Sequence, residues 1–183
     1  MKGIVFTEFL EMVETVFGDD MADDILDDAD LESGGAFTAV GTYDYQEMVA
    51  LVTELSKRTE IAIPDLLKTY GKHLFGRFYT LFPTFFEGID NSIDFAQTIE
   101  NHIHIEVRKL YSDAELPSFD TERDDNSMSM VYRSARPFAD FAEGLLTGCI
   151  EHYNQDATLT RHDIADDNTH TQFVLTRKVT DPA

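Results

Sequence analysis

Tryptophan is absent from the 183 residues, and cysteine occurs once, as Cys149. A lone thiol excludes an internal disulfide and any cysteine-rich zinc framework, and it fits a reducing, cytoplasmic setting. Basic residues are scarce. Lys and Arg number 14 against 35 Asp and Glu, a net charge of −21, with an isoelectric point near 4.3. Such a surface repels a phosphate backbone and an anionic bilayer, so neither nucleic acid nor membrane is expected as a partner. Long apolar runs are missing too. The opening Met1-Lys2-Gly3-Ile4-Val5-Phe6 meets Glu8 and Glu11 at once, leaving room for neither a signal-peptide core nor a spanning helix.

What the chain has in quantity is phenylalanine, with 14 residues in a composition that is 43% hydrophobic. That suffices for one domain over residues 1–183 with a sizeable core, and bulky rings could line a dry pocket. From residue 3 to about 110 apolar residues recur at helical intervals, as in Val5, Phe9, Met12, Val13 and Phe17. Breaks are expected at Gly18, at Ser33-Gly34-Gly35, from Ala62 to Pro64, at Pro83 and from Gly88 to Asn91. A long helix is predicted from Ser92 to Tyr111, stopped by residues 112–117. Strands are predicted over 127–134, 156–163 and 171–179, with a helix from Phe138 to Tyr153 whose stripe holds Phe141, Leu145, Leu146 and Cys149. Helices first and a small antiparallel sheet later make the fold class α+β.

The acidic run Asp19, Asp20, Asp23, Asp24, Asp27, Asp28 and Asp30 follows helical spacing and reads as a solvated face. A calcium loop begun at Asp28 would put Ser33 where the sharp-turn glycine belongs and Ala39 where the bidentate glutamate belongs. His162 and His170, near Asp163, Asp166 and Asp167, could be read as a metal cluster, but cysteines to complete one are lacking there. No nucleophile elbow or phosphate loop supports an enzyme built on pairs such as His162 and Asp163.

Two segments carry more. His102 and His104 flank the apolar stripe Phe95, Ile99, Ile103, Val107 and Leu110 of the predicted long helix on opposite sides. Periodicity does not choose between them. In Tyr132-x-Ser134-x-Arg136, alternate residues of an extended backbone would aim a phenol, a hydroxyl and a guanidinium at one point, a clamp for a carboxylate. An imidazole and a carboxylate clamp are the two things that haem b asks of a protein, one for iron and one for its propionates.

The order and spacing of several segments strengthen that reading. They are the opening Met1-Lys2-Gly3, the run Ile103-His104-Ile105-Glu106-Val107-x-Lys109-Leu110-Tyr111, Leu116-Pro117, the Tyr-x-Ser-x-Arg signature, and Glu143-Gly144-Leu145-Leu146-x-Gly148. Over nearly its whole length the chain resembles the bacterial haem nitric oxide/oxygen binding (H-NOX) domain, related to the haem domain of soluble guanylate cyclase. The resemblance implies a helical lobe over about 1–60 and a haem-holding lobe over about 61–183, with haem buried between them. It implies His104 as the iron ligand, Tyr132, Ser134 and Arg136 on the propionates, and Pro117 pressing on the haem; His102 receives no ligand role.

By the same resemblance Val5, Phe9, Leu74, Phe78, Phe141 and Leu145 fall at the distal wall. Oxygen-binding members place a tyrosine nine residues after the Tyr of the signature, and here that residue is Phe141. Bound dioxygen profits from a hydrogen-bond donor, whereas nitric oxide binds ferrous haem without one, so a nitric oxide sensor that excludes oxygen is expected. Binding would weaken or break the iron–histidine bond and shift one lobe against the other. The family implies an output in trans, through a histidine kinase or a cyclic-di-GMP synthase or phosphodiesterase. Two other readings stay open: an oxygen-binding haem protein with a donor from Tyr70, Tyr79 or water, and an interaction module without haem.

Overall fold

The computed structural model describes residues 1–178. Helix α1 (Gly3–Phe17) buries Phe6, Phe9, Met12 and Val13 along one stripe. Its first amides find acceptors outside the helix, Gly3 N–H donating to Gly41 O (2.8 Å) and Ile4 N–H to Ala39 O (2.9 Å). Helix α2 (Asp19–Asp28) is the acidic run, and Arg58 of α3 (Tyr45–Thr59) pairs with Asp24 at 2.7 Å and Asp28 at 2.5 Å. Asp44 caps α3 by accepting from Gln46 N–H at 2.8 Å. Helix α4 (Ile63–Leu81) has Pro64 in its first turn, where no amide is needed. With Leu51, Leu55, Leu66 and Tyr70, the stripe of α1 builds the first hydrophobic cluster.

The long helix predicted from Ser92 to Tyr111 is interrupted. Helix α5 (Ser92–Thr98) passes into a π-helical turn (Ile99–Ile103) before helix α6 (His104–Leu110), so that His104 N–H bonds to Ile99 O, five residues back. A single wide turn of this kind inside a helix is a frequent mark of a functional position. Four antiparallel strands follow, β1 (Ser118–Arg123), β2 (Ser127–Arg133), β3 (Ala157–Asp163) and β4 (His170–Arg177), in spatial order β1-β2-β4-β3. Strand β1 was not foreseen. It is an edge strand in which only Phe119 is buried, so it lacks the alternation that marks a half-buried strand. The strand predicted over 171–179 ends at Arg177, and Val179 lies outside the described residues.

Helix α7 (Ala139–His152) joins the sheet to the helices. Its start is pinned by Arg161 of β3, which reaches buried Asp140 at 2.6 Å, Glu143 at 2.8 Å and Asn168 at 2.7 Å. Farther along, α7 crosses α4 with the two backbones in direct contact. A Cβ on Gly144 would lie 2.2 Å from Lys68 O, and one on Gly71 would lie 2.4 Å from Phe141 O. No helix among the described residues is long and apolar enough to cross a membrane.

On an exposed helix, Gly144→Ala would add up to about 1 kcal/mol of helix propensity. Here the methyl must push two backbones apart, and overpacking predicts a net loss of about 1–3 kcal/mol. A drop in the urea midpoint at unchanged m-value confirms the close crossing.

Candidate functional site

Helices α1, α4 and α7, the helix segment carrying His104, and strands β1 and β2 enclose a cavity of about 1070 Å³. That is at the top of the range for small-molecule and cofactor sites. Val5, Leu74, Phe78, Phe141 and Leu145 all line it, and the rings of Phe75, Phe82, Phe85, Phe86 and Phe95 extend the apolar wall. Phe9 does not line it. Fully buried, it packs edge-on to Tyr70 at 5.2 Å, and Tyr70 in turn stacks on Phe141 at 5.1 Å, so Phe9 stands behind the wall.

His104 lies on the cavity wall, 8% exposed, against Phe119 of β1. His102 is exposed, 6.4 Å from the Phe85 ring, and is not among the lining residues. The His104 Nδ1 meets Glu100 Oε2 at 3.2 Å, and the same oxygen accepts from Phe119 N–H at 3.0 Å. A carboxylate only accepts, so Nδ1 carries the proton and Nε2 keeps its lone pair for a metal. Burial holds the imidazole below its ordinary value of 6.5, against the opposing pull of Glu100, which favours the neutral form that ligation needs.

Tyr132, Ser134, Arg136 and Pro117 also face the cavity. They are not presented by one continuous strand. Strand β2 ends at Arg133, and Ser134 Oγ accepts from Arg136 N–H at 3.0 Å, drawing the chain into a bend that sets the guanidinium. Burial raises the Tyr132 phenol above 10, so it is a donor at neutral pH. Arg136 holds the Glu115 carboxylate through Nη2, with Nη1 donating to Glu115 O at 3.3 Å, and lies over the Tyr45 ring at 5.8 Å. Glu115 is 80% exposed, so exchanging this partner for another carboxylate costs little. Nearby, Lys2 Nζ donates to Thr42 Oγ1 at 2.7 Å and to Asp113 at 3.2 Å.

The donor set fits a haem: a proton-free imidazole nitrogen, a wall of rings, and a guanidinium already engaged with a carboxylate. Neither tyrosine considered as a distal donor faces the cavity. Tyr70 is 1% exposed and gives its hydroxyl to Val5 O at 2.5 Å, while Tyr79 is 45% exposed. Among the described residues no group of three or more His, Cys, Asp or Glu could hold a metal ion, so His162 and His170 form no such cluster. Cys149 lies at the cavity wall, its thiol pushed up by burial and therefore unreactive. Glu100 has no role in the sequence reading, although it sits one helical turn before His104.

A family model described as haem-NO-binding matches residues 2–161. The H-NOX protein from K. algicida, solved in its unliganded Fe(II) state, is 41% identical, with 98% of each chain covered and a TM-score of 0.92. The H-NOX from Shewanella woodyi, solved in solution in the Fe(II)CO state with IWP-051 bound, is 40% identical over 97% of this chain and 95% of that one, with a TM-score of 0.83. An H-NOX protein from S. oneidensis in the Fe(II)NO state shares the fold at 23% identity, with 98% and 100% covered and a TM-score of 0.87. No curated protein sequence matches the chain.

Within the wall, Tyr70→Phe keeps the ring that stacks on Phe141 and deletes only the bond to Val5 O. The expected cost is about 1 kcal/mol in urea unfolding at pH 7.

Proposed function

The chain belongs to the haem-NO-binding, or H-NOX, family, and from that premise we propose that it senses nitric oxide at ferrous haem b, excludes oxygen, and acts on a separate signalling protein. Domains of this family are haem-based gas sensors rather than enzymes. The observation that carries the selectivity is the wall formed by Val5, Leu74, Phe78, Phe141 and Leu145, in which no side chain offers a hydrogen bond. Haem supplies the iron that takes the diatomic gas, and the remaining roles belong to the chain. His104 would hold the iron through Nε2. Arg136, Tyr132 and Ser134 would hold the propionates, with Arg136 exchanging the exposed Glu115 carboxylate for one of them. Pro117, in the segment between α6 and β1, would pack against the bound group, and the Phe141 ring, braced by Tyr70, would help keep water from the gas site. Residues 1–60 and 61–183 act as the two lobes that close on the haem.

An output through a histidine kinase or a cyclic-di-GMP synthase or phosphodiesterase, in the cytoplasm, completes the proposal. The net charge of −21 suits a basic patch on that partner.

Absorbance spectra of anaerobically reduced, haem-loaded protein test this reading. The expected result is a five-coordinate ferrous spectrum that changes with nitric oxide and does not convert to an oxy form in air. A stable oxy spectrum overturns the selectivity, and no Soret band after haem loading overturns the proposal altogether. His104→Ala should abolish the histidine-ligated spectrum. Phe141→Tyr should introduce a donor and make oxygen binding measurable; no oxygen binding in a haem-loaded Phe141→Tyr protein removes Phe141 as the determinant.

A further inference from the structure

Resting on the reading of His104 as the iron ligand, we propose that Glu100 is the positioning residue of the site, setting the strength of the iron–histidine bond and linking it to the edge of the sheet. One carboxylate oxygen, Glu100 Oε2, meets His104 Nδ1 at 3.2 Å and Phe119 N–H at 3.0 Å. The other, Oε1, lies 4.0 Å from Arg108 Nη2. The side chain is 27% exposed.

The pair is four residues apart, the spacing at which helix side chains are neighbours, and a π turn lies between them. In an uninterrupted α-helix the His104 amide would bond to Glu100 O; here it reaches past it to Ile99 O. From this segment the Glu100 side chain meets both the histidine ring and the β1 backbone. Glu100 lies within the π turn and His104 is the first residue beyond it.

Two consequences follow from the chemistry of the pair. A carboxylate accepting from Nδ1–H makes the imidazole a stronger donor at Nε2 and fixes its tautomer and ring orientation. The same carboxylate holds Phe119, two residues beyond Pro117, so a displacement of the His104 ring is transmitted to β1 and to the segment that presses on the porphyrin. Glu100 therefore sets both how firmly the ligand is held and where its movement is felt.

Resonance Raman spectra of the ferrous, haem-loaded protein test this directly through the iron–histidine stretching frequency. The frequency is expected to fall from wild type to Glu100→Gln, which keeps the shape and loses the charge, and to fall further in Glu100→Ala. Retention of haem should weaken roughly 10-fold or more, as for other outer partners of a metal-bound histidine. Hydrogen exchange at the Phe119 amide should accelerate in Glu100→Ala. A carboxylate that serves only to anchor β1 would change that exchange and leave the frequency unmoved, and this result overturns the proposal. Glu100→Asp, with its charge retained on a shorter stem, should recover part of the frequency lost in Glu100→Gln; no recovery also counts against it. Wild-type protein that takes up no haem overturns the family reading of the site and this inference together, whereas a haem-loaded series with constant frequency overturns this inference alone.

Discussion

The cavity depends on two helices approaching more closely than side chains allow. Where α4 and α7 cross, Gly71 and Gly144 bring backbone against backbone, and any β-carbon there would collide with a carbonyl. Because the crossing is filled by main chain, side chains near it on both helices are left to face elsewhere. Leu74 and Phe78 leave α4 and Phe141 and Leu145 leave α7 to form one wall of the cavity. A large apolar space costs stability in proportion to the volume left open, so it persists only where the surrounding packing holds its lining apart. The crossing, the Arg161 network at the start of α7 and the stack of Phe9, Tyr70 and Phe141 behind the wall all resist collapse.

Polarity is rationed around this space. The apolar wall comes from the cluster of α1, α4 and α7, while the imidazole and the carboxylate-binding groups come from the π turn, α6 and the end of β2. Three of the polar groups here are already matched. His104 meets Glu100, Arg136 meets Glu115, and Lys2 meets Thr42 and Asp113. The matches differ in permanence. Glu115 is exposed and replaceable, but Glu100 is held between a ring and a strand amide. A site built so can exchange its carboxylate at one rim while keeping its imidazole fixed, which suits a cofactor that carries carboxylates at one edge.

Much of the fold was legible because the signals are local. The breaks at Gly18, Ala62 to Pro64 and Pro83 are backbone restrictions of single residues, and helix α7 announces itself by one stripe. Strand β1 was not legible, because an edge strand with one buried side chain has no alternation to read. Nor was the π turn, since residues 92–111 keep a continuous apolar period and the extra residue is absorbed by packing. Tyr132, Ser134 and Arg136 all face the cavity, but not from one strand: Ser134 bends the chain through its hydroxyl, which strand spacing does not reveal.

By itself the sequence determined the class of chemistry. One thiol, a net charge of −21, a histidine in a helix and Tyr132-x-Ser134-x-Arg136 are covalent facts, and they narrow the partners before any folding is considered. Tertiary structure decided which histidine faces the cavity, that Phe9 stands behind the wall rather than in it, and that Tyr70 spends its hydroxyl on Val5 O. It also brought Glu100 to His104 and Phe119 at once. These are outcomes of packing among residues far apart in the chain, where a single wide turn or a missing β-carbon redirects side chains whose spacing alone leaves several faces open.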